Sequence, residues 1–238
     1  MISVQDLSKR FWVRSDQSRS LGDFFLSGFK PEQSTETWAL RNLNLNIKKG
    51  EKVAVLGRNG AGKSTLLSLI AGTLVPTSGQ VEVEGTVAPM VGFTGGFDER
   101  LSGRDNLFLR SALFGLERGH TEALLPDVVK FAELCEVIDH PVSTYSSGMK
   151  ARLGFSLSMH LEADVFLLDE ALSAGDAGFR KKATLALHER IQAVGTWVIV
   201  SHGPRALMDV CDRGYILHKG ELQAEGTMEE IVSLYETL

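Results

Sequence analysis

The sequence predicts an α/β protein with a buried sheet, a β-rich N-terminal region and a helical insert, and three observations carry that expectation. Short apolar runs without alternation, Val53–Leu56, Val165–Leu168 and Trp197–Val200, read as strands covered on both faces. The first feeds a glycine-rich loop and then a helical stretch, Leu66–Ile70, whereas the other two end in Asp169-Glu170 and Ser201-His202. Ligands in such sheets bind beyond the carboxyl ends of the strands, so all four of these polar residues are expected at the same edge as the loop.

The elements follow in order. Met1-Ile2-Ser3-Val4-Gln5-Asp6-Leu7 alternates as a strand, and residues 1–14 and 38–56 read as β-rich, with Leu43, Leu45 and Ile47 alternating into a Lys48-Lys49-Gly50-Glu51 turn. Gly79–Gly85 reads as another short strand. From about Ser102 to Leu161 the apolar spacing becomes helical, through Leu107, Arg110, Ser111 and Phe114 and then Leu124 to Leu134. The chain ends in a helical segment from Met228 to Leu238.

The loop is Gly57-Arg58-Asn59-Gly60-Ala61-Gly62-Lys63-Ser64-Thr65. Glycines at 57, 60 and 62 let the backbone curl with its N–H groups inward, and the helix that follows adds unpaired donors, which together suit a polyphosphate. Lys63 is placed to bridge terminal phosphates as a point charge, and the Ser64 hydroxyl to take one position on a Mg²⁺ that keeps several waters. Thr65 adds a phosphate hydrogen bond. The chemistry is that of a nucleoside triphosphate site.

Composition bounds the setting. A chain of 238 residues with a net charge of −5 offers no general attraction to nucleic acid, and no basic run supplies a local one. Cys135 and Cys211 lack metal-site spacing and are expected to be core thiols in a reducing compartment. No charged segment followed by an apolar core marks an export signal, and the longest apolar runs fall far short of the roughly 20 residues that span a bilayer. Membrane function is therefore expected through a partner.

Tyr145-Ser146-Ser147-Gly148-Met149-Lys150 opens onto an amphipathic run from Ala151 to Leu161, a second small-residue turn at a helix start. The phosphate loop, this turn, Asp169-Glu170, Ser173-Ala174-Gly175-Asp176 and His202 follow in order. The set resembles the nucleotide-binding subunit of ABC transporters over essentially the whole chain. Within that family it is most similar to the ATPase subunits of bacterial polysaccharide exporters, which serve capsule, O-antigen or teichoic acid. Gly92-Phe93-Thr94-Gly95-Gly96-Phe97 before Leu101–Asn106, the form of the signature turn, and Ser173–Asp176 carry this narrower likeness.

The resemblance implies a P-loop cassette: a RecA-like mixed-sheet core and antiparallel β region over residues 1–86 and 162–238, and a helical subdomain at about 87–161. It implies ATP and Mg²⁺, with Asp169 on the metal beside Ser64, Glu170 activating the attacking water and His202 touching the γ-phosphate. Ser146, Ser147, Gly148 and Met149 would close on ATP held by the other subunit of a head-to-tail homodimer, with Asp176 near the interface. Either Phe11 or Trp12 would stack on adenine, with Phe11 preferred by spacing. A separate multi-span permease would hold the chain at the cytoplasmic face of the inner membrane and move a lipid-linked polysaccharide, with no nucleic acid involved.

Departures from the family pattern are specific. No glutamine lies between Val87 and Leu101, where cassettes place a metal-sensing one; Gln80 lies too early, within the preceding strand, and Gly92–Phe97 takes that place. Ser147 and Met149 stand where glycine and glutamine are usual. Residues 14–37 form an insert in which Leu21, Phe25 and Phe29 make an apolar helix face after Ser20, expected either to cover the cassette's own edge or to meet the membrane interface or channel subunit. The end at Leu238 is expected to leave glycan recognition to other components. Rival readings are a cassette for another exported cargo, a non-transport ABC ATPase, and a binding module without turnover.

Overall fold

The computed structural model describes residues 1–14, 34–90, 96–169, 176–193 and 195–237. Two sheets organise them. Strands β1 (Ile2–Arg14), β2 (Ser34–Ile47) and β4 (Ser78–Val83) form an antiparallel sheet in the order β2-β1-β4. Strands β3 (Lys52–Leu56), β5 (Val87–Met90), β6 (Val165–Asp169), β7 (Thr196–Ser201), β8 (Arg213–His218) and β9 (Glu221–Thr227) form the second, in the order β5-β6-β7-β3-β8-β9. All its neighbours are parallel except β8 and β9.

The non-alternating apolar runs are buried on both faces, as their pattern requires. Along β3, Ala54 and Leu56 belong to one core and Val53 and Val55 to the other. The first core lies under the helices and contains Phe166 and Trp197, whose rings stack 4.5 Å apart. The second is closed by the antiparallel sheet and by α1 (Lys63–Ile70). A β-strand exposes opposite faces at successive residues, so one short run serves two cores at once.

The helical stretch resolves into α2 (Gly103–Leu113), α3 (Arg118–Ala132), a 3₁₀ turn at Val142–Thr144 and α4 (Ser147–His160). Leu107, Arg110 and Ser111, spaced as one helix face, are buried in α2 together with Gly103 and Asn106. Two further helices complete the core, α5 (Ala177–Ala193) and α6 (Met228–Tyr235), the latter opened by a capping box between Thr227 and Glu230.

Two boundaries and one side-chain position differ from the expectations. β5 opens the stretch assigned to the helical lobe, yet it pairs with β6 in the main sheet, because Ala88 and Met90 complete the core beside Phe166 and Leu168. β1 and β2 pair as far as Arg14 and Ser34, so ribbon replaces part of the 14–37 insert; the apolar helix face read at Leu21, Phe25 and Phe29 lies outside the described residues. Cys135 is exposed, against the expected core position, because the chain after the end of α3 turns inward at Leu134 and Ile138 and outward at Cys135 and Glu136 between them. Cys211 is buried as expected, and burial pushes its thiol up to about 12.

Because the thiolate is the reactive form, a thiol reagent at pH 8 is expected to label one cysteine quickly in the native protein and both in denaturant. Rapid labelling of both under native conditions would contradict the burial of Cys211.

Candidate functional site

The register of the parallel strands sets the site. Leu56 pairs with Ser201 and Asp169 with Val200, so Gly57 and His202 leave the sheet at the edge where Asp169 ends β6. Glu170 itself, with Ser173, Ala174 and Gly175, falls outside the described residues.

The loop from Gly57 is clasped tightly. A Cβ on Gly57 would lie 2.6 Å from the Leu217 carbonyl oxygen, and one on Gly62 would lie 2.6 Å from that of Ala39 and 2.7 Å from a Leu40 methyl. Gly60 and Gly62 adopt positive φ of 80° and 106°, which side chains resist. The Ala61 N–H donates to the Arg58 carbonyl at 3.0 Å, and the Gly220 N–H donates to the Ala61 carbonyl at 3.0 Å, tying the loop to the β8–β9 turn. Arg58, Asn59 and Gly60 stay exposed at the bend, while Thr65 is half-buried.

Lys63 curls over this loop, with Nζ donating to the carbonyls of Gly57 at 2.5 Å and Arg58 at 3.3 Å. One residue on, in the first turn of α1, the Ser64 hydroxyl donates to Asp169 Oδ2 at 3.3 Å. Two hard oxygen donors from elements 105 positions apart therefore meet beside the cation and the curled backbone. This donor set suits Mg²⁺, which prefers one or two protein oxygens and retains waters. Among the described residues, no group of three or more His, Cys, Asp or Glu forms a fuller cage. At the end of β7, Ser201 Oγ accepts from the Gly203 N–H at 2.8 Å and donates to the Gly203 carbonyl at 3.2 Å. That small turn places His202 exposed at the same edge.

The aromatic candidates stand at the far end of the β1–β2 ribbon, Phe11 opposite Thr37 and Trp12 opposite Glu36. Thr37 and Glu36 line a cavity of about 500 Å³ with Trp38, Arg41, His218 and the loop's Gly60. No motif singles out Trp38 along the chain, because only the pairing of β2 brings it to the cavity that Gly60 lines.

Ser146, Ser147, Gly148 and Met149 belong to the helical lobe. Ser146 caps α4 by accepting from the Met149 N–H at 3.2 Å. The preceding Tyr145 is buried, and its hydroxyl donates to the Val137 carbonyl at 2.6 Å, pinning the turn to the segment after α3. Lys150 holds Glu99 at 2.5 Å, and Asn106, wholly buried, donates to the carbonyls of Asp98, Leu101 and Ser102. Asp98 is held at about 2 chiefly by the side-chain hydrogen bond from Arg100. The signature turn is thus bolted to the stretch just after Gly92–Phe97, of which residues 92–95 lie outside the described set. Asp176 opens α5, with Oδ1 accepting from the Gly178 and Phe179 N–H groups at 2.9 and 3.0 Å.

A glycine-rich loop between a buried parallel strand and a helix, with a Ser–Asp pair at its mouth, defines a phosphate-binding α/β protein of the P-loop class. The family model described as ABC transporter matches residues 40–173, and the chain belongs to that family. It is 39% identical over 235 residues to the teichoic acids export ATP-binding protein TagH of Lactococcus lactis subsp. lactis (strain IL1403), covering 99% of this chain and 50% of that protein. It is 40% identical over 198 residues to the O-antigen export system ATP-binding protein RfbB of Klebsiella pneumoniae, covering 83% of this chain and 80% of that one. The chain therefore spans half the length of the first of these relatives. Its fold matches the dimeric post-hydrolysis structure of the ATP-binding cassette MJ0796 bound to ADP and Pi, at a TM-score of 0.73 and 21% identity over 96% of this chain and 99% of that one.

Replacing Gly62 by Ala is expected to cost about 2–5 kcal/mol in urea unfolding, since the left-handed backbone penalty adds to a collision with β2. Gly60→Ala, with nothing within 4 Å of its Cβ, should cost only about 1–2 kcal/mol for its backbone. Equal losses at the two positions would contradict the clasp of β2 on the loop.

Proposed function

We propose that the chain is the ATP-hydrolysing subunit of an exporter that moves a lipid-linked cell-surface polysaccharide across the cytoplasmic membrane. The observation that carries the ATPase reading is the meeting of Ser64 and Asp169 beside Lys63 and the curled loop. The names of the teichoic acid and O-antigen relatives support the cargo class.

In this reading the backbone N–H groups of residues 57–65 and the Lys63 ammonium hold the β- and γ-phosphates, and Phe11 stacks on adenine. Ser64 and Asp169 would hold Mg²⁺, which when bound neutralises phosphate charge. Phosphoryl transfer asks for little more than charge neutralisation and an in-line water. Glu170 takes the proton of that water, and the His202 imidazole donates to the γ-phosphate. Ser146, Ser147, Gly148 and Met149 complete the site on a second copy of the chain, with Asp176 at the interface, so turnover requires a homodimer.

A multi-span permease brings this pair to the cytoplasmic face of the inner membrane; among the described residues, no helix is long and apolar enough to cross one. A groove of about 360 Å³ lined by Ala71, Thr73, Pro89, Gly96, Leu113 and Phe114 lies between the core and α2. Leu109 and Leu113 stand exposed one helical turn apart beside it, a surface that fits an apolar segment of the permease.

Phosphate release is expected to fall on the order of 100-fold or more in Glu170→Gln, the range for loss of a general base, and to a similar extent in Lys63→Ala. Undiminished release by Glu170→Gln would remove that residue from its role. Affinity purification from native membranes should recover a small multi-span subunit. Recovery of ribosomes or DNA-repair proteins without one would remove the transport reading and keep the cassette.

A further inference from the structure

Arg152 lies on α4, three residues after the signature turn, and is mostly buried. Its guanidinium bridges two elements. One nitrogen donates to Glu133 Oε2 at 3.1 Å, at the left-handed cap that ends α3. Another reaches Asp176 Oδ2, on the residue that opens α5. Asp176 is thus used twice, one oxygen on the helix start and the other on Arg152.

The surroundings lock this geometry. The guanidinium lies 5.1 Å over the Phe179 ring, which packs edge-on against Phe131 and Phe155 at 5.9 and 6.1 Å. Lys182 of α5 pairs with the other Glu133 oxygen at 3.0 Å and donates to the Phe131 carbonyl at 2.9 Å. That Lys182 hydrogen bond first, with the charges of Lys182 and Arg152, keeps the Glu133 carboxyl below its ordinary range. Ser146, Gly148 and Met149 line a cavity of about 680 Å³ together with Arg152, Glu133 and Asp176.

Partly exposed ion pairs of this kind contribute only about 0–1 kcal/mol each to stability. Their consequence is geometric: a planar fork on two carboxylates, stacked on a ring, fixes an angle between the elements that carry it. We propose that Arg152 is a positioning residue for the ATPase. Within one protomer it sets the signature turn at a fixed distance from Asp176, so that helical lobe and core present one preassembled face to the ATP of the partner. The proposal rests on the reading of the chain as an ATPase that works in pairs.

The test uses Glu170→Gln, which slows turnover and leaves ATP in place, alone and combined with Arg152→Gln. Two quantities are measured: ATP-driven dimerisation by sedimentation, and affinity of the protomer for a fluorescent ATP analogue. Arg152→Gln is expected to weaken dimerisation about 10-fold or more, because misplacing a group that acts across the interface by about an ångström costs up to about 100-fold. Affinity of the protomer's own loop should change less than about 2-fold, since Lys63 and its loop lie on the core. Arg152→Lys, a point charge without the fork, should fall between. Dimerisation of the double variant at the same ATP and protein concentrations as Glu170→Gln would overturn the proposal. So would a parallel fall in nucleotide affinity, which marks general loss of structure. Failure of Glu170→Gln itself to dimerise with ATP would instead overturn the pairwise reading on which the proposal stands.

Discussion

The clasp on the phosphate loop is the constraint on which the rest of the molecule depends. The loop leaves β3 with Leu217 of β8 against Gly57 and with Ala39 and Leu40 of β2 against Gly62, leaving no room for a side chain at either glycine. Hydrogen bonds run from Arg41 to Gly220 and from Gly220 to Ala61, so the antiparallel sheet, the β8–β9 turn and the loop form one continuous unit. Close packing of this sort transmits displacement rather than absorbing it. The same clasp explains why the second core is shared between the two sheets and α1: Leu40, Leu43, Val55 and Leu66 pack in one cluster beneath the loop.

The second unit is held differently. The helical lobe is joined to the core through an aromatic cluster and a set of partly exposed charges, Arg152, Glu133, Asp176 and Lys182, with Lys150 and Glu99 beside them. These charges contribute little to stability, and their effect is to fix how the elements that carry them sit against one another. The glycine-rich loop and the small-residue turn before α4 are thus held by different means, the first by backbone packing and the second by a buried tyrosine and charged side chains.

Much of this was legible in the chain. The glycine spacing at 57, 60 and 62 announced the curled loop because only glycine tolerates the backbone angles and contacts found there. Val165–Leu168 and Trp197–Val200 announced doubly covered strands because their residues all need burial, and each is buried. Cys135 was misplaced because burial of a small apolar side chain depends on where the preceding helix stops, and Glu133 ends α3 two residues earlier. The β5 boundary was misread because a four-residue strand beside a helical lobe has too few residues to show a period.

By itself the sequence determined the curled glycine-rich loop, the strand ends beside Asp169 and His202, and the small-residue turn before α4, because each is a local pattern of residue types. Tertiary structure alone decided that Trp38 and His218 share a cavity with Gly60 and that Arg152 bridges Glu133 and Asp176. Those partners lie up to 180 positions apart in the chain, as Trp38 and His218 do. Spacing along a chain encodes the turn of a helix or the pleat of a strand; which distant side chains touch is set by strand register and by how two cores close over one sheet.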